Sequence, residues 1–391
     1  IRAAVEAGTI PGAALAVGRR GGLVRLRGYG RTGGGGGAVD ATETLYDVAS
    51  LTKVAATTAA VMALADEGRL RLDAPVRRYL PGFTGKWKGS VTVRQLLTHT
   101  AGLPAGEWLY GSTRSPETAL RRSMRAPLVR PPGQAMVYSD FGFILLGALV
   151  EAAAGEPLDR YLARRVYAPL GMESTLFIPP DVLRPVTVPT AQRSEREYTL
   201  AGTVHDANAF RLGGVAGHAG LFSTAADLAV FAQTLLNGGS YGTHRVYSPE
   251  TVRGFTAARA RPGNRALGWD VPAQRSSAGS YFSTRSYGHT GFTGTSLWID
   301  PERDLFVVLL TNRTYDNASP RAMLELRERV HDAVARSIGD ATVRPRPGSP
   351  AAIEEERKAR AERERIRRQK QRPKPRPRPG RRRGDGAGGA Q

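Results

Sequence analysis

Strand-like segments stand at both ends of the apolar part of this chain and helix-like segments fill its middle, an order that leaves few ways to build a core. Residues 13–19 and 23–29 read as two strands joined by Arg20-Gly21-Gly22, a hairpin. Residues 283–288, 294–300 and 305–311 carry β-branched and aromatic residues between turns of Gly, Pro-Glu-Arg-Asp and Asn-Arg. Between these blocks, 51–68, 141–154, 157–170 and 224–237 read as helices, and another begins at 93–97. A short helix over 1–8 opens the chain, and an amphipathic helix over 321–338 closes the apolar part. The two strand blocks are expected to pair with each other. The expected fold class is α/β (α+β): an antiparallel sheet flanked by helices, drawn from about residues 10–50 and 280–312, with an inserted, mainly helical lobe over about 70–270.

Composition sets the outer limits. The 391 residues, 41% hydrophobic, are ample for a large core spanning 1–343. The absence of cysteine excludes disulfides, thiolate metal sites and cysteine nucleophiles. The longest apolar run, 141–154, is too short to span a membrane and is interrupted by Glu151, so no transmembrane segment is expected. About half of the formal charge of +21 lies from Arg344 onward, where seventeen Lys and Arg stand against six Asp and Glu. That region, 344–391, predicts a charged helix over 351–370 followed by a disordered Pro/Arg-rich tail. Such a tail binds polyanions weakly and in a salt-dependent way. Without aromatic residues to stack on bases, it has no means of specific nucleic-acid recognition. The glycine-rich stretch 33–37 opens no helix, so it reads as a solvent loop and not a phosphate cradle.

Before that tail the only lysines are Lys53, Lys86 and Lys88; arginine carries almost every other positive charge. Arginine cannot release its proton in a protein, whereas a desolvated lysine can act as a base. Lys53 follows Ser50 by three residues, which places both on one face at the start of a helix. There the free N–H groups and the helix dipole favour an alkoxide or oxyanion on Ser50. Burial and the same positive end are expected to lower the pKa of Lys53. Taken alone, the tetrapeptide reads more readily as a capping serine beside a surface lysine, since such spacings arise easily by chance.

Two further segments decide between these readings. Tyr138-Ser139-Asp140 precedes the apolar helix at 141, and His289-Thr290-Gly291 precedes a strand. With Ser50-Leu51-Thr52-Lys53, their order and spacing resemble the three motifs of the β-lactamase and penicillin-binding-protein superfamily of serine hydrolases. The class C-like branch, with its β-lactamase-related esterases and D-peptidases, is the nearest in pattern. The stretches 97–104 and 213–224 resemble the same branch, so the likeness covers roughly 1–340.

The resemblance implies an acyl-enzyme on Ser50, with Lys53 and Tyr138 sharing the proton work. A tyrosine serves as base only where a cation such as Lys53 holds it partly as phenolate. Asp140, His289, Thr290 and Gly291 are implied to meet substrate, and the backbone N–H groups of Ser50 and Phe292 to form an oxyanion hole. Gly291 is expected to leave room for the acyl group. His289 is expected to be a weak, pH-dependent cation for a substrate carboxylate. Asp140, where many relatives carry asparagine, offers acceptors only, which weakens a reading as an efficient β-lactamase. The substrate class stays open among esters, D-amino-acid peptides and β-lactams. No metal or cofactor is implied, and the branch implies an extracytoplasmic or periplasmic location. The alternative is a non-catalytic scaffold of the same fold that binds polyanions through its tail.

The remaining histidines read as structural or superficial. His205 and Asp206 are adjacent and point apart, so they are expected in a hydrogen-bonded loop beside the site and not on a metal. His218 and His99 are expected to be structural hydrogen-bonders, and His244 and His331 to lie on the surface.

Overall fold

In the computed structural model, which describes residues 1–33, 35–191, 201–257, 262–263, 265–339 and 342–370, the two ends of the chain meet as expected. The strand Gly12–Arg19 pairs antiparallel with Leu305–Thr311, Ala13 opposite Thr311 and Arg19 opposite Leu305. Five strands follow in the order Gly22–Gly30, Gly12–Arg19, Leu305–Thr311, Ser296–Asp300, Tyr287–Thr290. The centre of the sheet is covered on both faces, so Leu305–Thr311 is a continuous buried apolar run. The edge strand Gly22–Gly30 is largely exposed and carries Arg25 and Arg27, charges that discourage edge-to-edge pairing.

One face of the sheet packs on Met323, Leu326 and Val330 of the helix Pro320–Arg336. The other faces the main core, where Ala14, Ala16, Phe306 and Val308 join the helices Ala59–Asp66, Asp140–Ala154 and Ala225–Leu236. Ser139 and Thr224 cap the last two, accepting from Gly142 N and Asp227 N. Among the described residues, no single helix is long and apolar enough to cross a membrane. The helix Asp140–Ala154 is mostly buried core.

Three local expectations change. The last sheet strand begins at Tyr287, not 283. Ser283 N and Oγ bind the buried Asp300 carboxylate at 2.8 and 2.7 Å, which ties that segment into a turn. The helix expected over 51–68 is a 3-10 turn at Ala49–Leu51, a π-helical turn at Lys53–Thr58 and an α-helix at Ala59–Asp66. His331 is fully buried: its Nδ1 meets Arg327 O at 2.7 Å and its ring packs edge-on against Phe282. Burial pushes its pKa down to about 4, so it is a neutral core residue. His244 is exposed.

A helix covers Pro350–Lys370. The residues just before it are anchored, because Arg346 is buried and donates to the carbonyls of Gly279, Phe282 and Ala273. The Pro/Arg-rich tail beyond 370 lies outside the described residues.

Candidate active site

The turn that carries Ser50 is held from below. Ala49 adopts a left-handed φ of 50°, an uncommon conformation for a residue with a side chain. Buried Asp47 over-determines it, one carboxylate oxygen accepting from Ala49 N at 2.8 Å and the other from His205 N at 2.7 Å. Thr293 and Thr295 reach across from the far end of the chain, donating to Asp47 O at 2.8 Å and to Val48 O at 2.9 Å. Between them, a Cβ on Gly291 would overlap the Thr295 hydroxyl and lie 2.5 Å from Val48 O. Gly291 is therefore required for the strand end to close on the turn that carries Ser50.

Lys53 Nζ lies 2.9 Å from Ser50 Oγ, 3.0 Å from His218 O and 2.8 Å from Asp140 Oδ1. An ammonium has three donors, and here each meets an acceptor. Gly217 permits this arrangement, since a Cβ there would collide with Phe143 O and lie 2.9 Å from Gly147 N in the helix behind it. Burial alone would lower the pKa of Lys53, as the sequence led us to expect. The Tyr138 oxygen and the Asp140 carboxylate outweigh it, and the pKa is raised. The resting lysine is charged.

Tyr138 Oη is 3.1 Å from Ser50 Oγ. Its ring is flanked by Lys53 Nζ at 5.0 Å, the Arg265 guanidinium at 5.3 Å and the His99 ring at 4.5 Å. His99 accepts from Ser139 N through Nδ1 at 3.0 Å, which fixes the motif that carries Tyr138. His289 is buried with Nδ1 at 2.8 Å from Thr290 O. Burial, then Arg265 and Lys53, hold the pKa of His289 well below the ordinary histidine value. The expected weak cation is a neutral imidazole. Phe292, next to Gly291, is exposed with its ring against His205 at 5.7 Å.

The loop after His205 lies beside the site. Asp206 is 3.0 Å from His218 Nε2 and accepts from Ala209 N at 2.7 Å. Burial would raise its pKa, but His218, the Ala209 amide and the Lys53 charge hold it below the usual carboxylate range. His218 itself is buried and contributes its carbonyl to Lys53.

Lys53 and Tyr138 thus meet on the Ser50 hydroxyl, and Gly291 closes on the backbone of the turn that carries it. The family model "Beta-lactamase" matches residues 1–332. The chain belongs to the β-lactamase family. Within it, the chain is 38% identical over 304 residues to the Escherichia coli K12 protein named "Putative D-alanyl-D-alanine carboxypeptidase", covering 70% of each chain. Among solved structures it is similar to a β-lactamase from Mycobacterium bovis, with 26% identity, a TM-score of 0.57, and 86% and 98% of the two chains covered. It shares its fold with a hydrolase described as having promiscuous acyltransferase activity, at 24% identity, a TM-score of 0.68, and 84% and 96% coverage. As a β-lactamase-family protein it is an enzyme of the serine-hydrolase class.

Two parts of this β-lactamase-family site were not foreseen from the sequence. Arg265 sits in a segment without a motif, in a chain where arginine is the ordinary cation. Asp47 could have been found, since an Asp two residues before a strained turn is a frequent cap of its own backbone. The Lys53–Asp140 pair has a measurable consequence. Asp140→Asn removes an opposite charge from Lys53 and leaves burial acting against the ammonium. An alkaline limb of kcat/KM set by Lys53 losing its proton is expected to move to lower pH. A stopped-flow pH profile with an unmoved limb contradicts the assignment.

Proposed function

We propose that Ser50 is the nucleophile of an acyl-transfer cycle acting on a peptide that ends in a D-amino acid. The observation that carries this reading is the meeting of Lys53 Nζ and Tyr138 Oη on Ser50 Oγ at 2.9 and 3.1 Å. Ser50 Oγ bonds to the substrate carbonyl carbon as the carbonyl electrons move onto oxygen, towards the amides of Ser50 and Phe292. All three donors of Lys53 are engaged, so the proton leaving Ser50 goes to Tyr138, which enters the step as a phenolate and becomes a neutral phenol. The Lys53 charge offsets the negative charge carried between Tyr138 and Ser50 through the step. The proton then passes to the departing amine as the C–N bond breaks. Water attacks the acyl-serine ester by the same route in reverse, freeing the acid and restoring Ser50.

Asp140 belongs first to Lys53, and its partly exposed oxygens remain open to a substrate amide. The peptide substrate is supported by the name of the E. coli relative and by the acceptor-only character of Asp140, which does not suit β-lactam recognition. Extracytoplasmic location follows from that substrate class, and weak polyanion binding by the tail is compatible with it. The test compares a diacyl-lysyl-D-alanyl-D-alanine peptide, a p-nitrophenyl ester and nitrocefin side by side. D-alanine release with the highest kcat/KM of the three is expected. Turnover of the ester with no D-alanine release would overturn the peptide assignment.

A further inference from the structure

The turn that presents Phe292 N–H is gripped from behind by two arginines that no part of the acyl-transfer cycle uses. Arg327, on the helix Pro320–Arg336, is buried and donates from Nη2 to both Gly291 O and Thr295 O at 2.9 Å. Arg313, just past the central strand Leu305–Thr311, donates from Nε to Phe292 O at 2.6 Å and from Nη1 to Ala318 O at 2.7 Å. Its guanidinium also lies 4.4 Å from the centre of the Phe292 ring. Three carbonyls of one short turn are therefore held by two guanidinium groups.

What these arginines lack is equally informative. Among the described residues, neither forms an ion pair with a carboxylate. Taking an unpaired guanidinium out of water is costly, and two within reach of each other cost more. Burial, with Arg313 adding to it, lowers the pKa of Arg327 to about 10, which still leaves it charged. Its field reaches the site, since it is one of the charges that hold His289 neutral. A structural tie between a helix and a turn could be made by neutral donors at less cost. Two uncompensated positive charges become useful where a negative charge arises, and in the acyl-enzyme reading the substrate oxygen becomes negative at Phe292 N–H.

We propose that Arg327, seconded by Arg313, is a positioning residue that fixes the 291–295 turn and lends positive potential to the oxyanion formed at Phe292 N–H. This inference rests on the acyl-enzyme reading and adds a residue to it. The bond changes are those of the cycle above; the arginines neither gain nor lose a proton.

The experiment uses the full chain with Arg327→Met and Arg327→Lys, checked for folding by circular dichroism and thermal melting. Two readouts are taken: kcat and KM on a p-nitrophenyl ester, and affinity for an aryl boronic acid, whose tetrahedral Ser50 adduct places a negative oxygen in the same hole. For Arg327→Met, kcat and boronate affinity are expected to fall together by about a hundredfold, with KM changed less than about threefold. Arg327→Lys is expected to recover at least tenfold of both. A folded Arg327→Met protein within threefold of wild type in kcat and boronate affinity would overturn the proposal, as would a Lys variant no better than Met. Should the Arg327 variants fail to fold, Arg313→Met decides by the same two readouts. Wild-type protein that forms no boronate adduct on Ser50 would instead refute the acyl-enzyme reading itself.

Discussion

Lys53→Met is expected to lower kcat/KM on every acyl substrate by on the order of a thousandfold or more while leaving the protein folded. Methionine is close to lysine in length and suits the apolar walls of that buried site. The stranded Asp140 carboxylate is partly exposed and can take water in place of the ammonium. Ser50 would then keep its contact with Tyr138 but lose the charge that balances the transferred proton. Steady-state kinetics beside a thermal melt separate the two effects. A folded Lys53→Met protein within tenfold of wild type would contradict the role given to the ammonium.

The second large effect is structural and lies at Gly291. In Gly291→Ala, the new methyl would meet the Thr295 hydroxyl and the Val48 carbonyl at once. The threonine could rotate only by giving up its 2.9 Å bond to Val48 O, and the carbonyl belongs to the strained turn below Ser50. A loss of about 3 kcal/mol in unfolding free energy is expected from such overpacking, read by urea titration. Activity should fall further than stability, because the strand end that carries Phe292 must move away from Ser50. Unchanged stability together with unchanged kcat would show that the two segments are not locked together as described.

The parts of the site that could be read from the chain are those whose partners are close in sequence or belong to a motif. The i,i+3 spacing of Ser50 and Lys53 was enough to put both on one face, and the pattern around Tyr138 and His289 completed the set. The charge on Lys53 was not legible. It depends on Asp140 and the His218 carbonyl arriving from other elements, and no local rule measures their pull against burial. His289 failed for the same reason: its neutrality comes from burial beside Arg265 and Lys53.

The same limit holds for the fold. The paired strand blocks were legible because β-forming residues, turns and segment length agreed over both. The 283–286 segment runs directly into the strand-forming Tyr287, but Asp300 captures Ser283 and bends it. His331 lies in an amphipathic helix whose outer face is polar, so its burial beneath Phe282 could be found only from tertiary packing. Arg327 and Arg313 are hidden differently. In a chain with 56 Lys and Arg, the two that grip the 291–295 turn look like all the rest.

The central claim is that Ser50 becomes covalently acylated. Intact-protein mass spectrometry after brief incubation with a fluorescent penicillin and, separately, a fluorophosphonate tests it directly. A single adduct of the probe's mass on the wild-type chain, mapped to the Ser50 peptide and absent from Ser50→Ala, is the predicted result. No adduct with either probe, or an adduct that persists in Ser50→Ala, would contradict it.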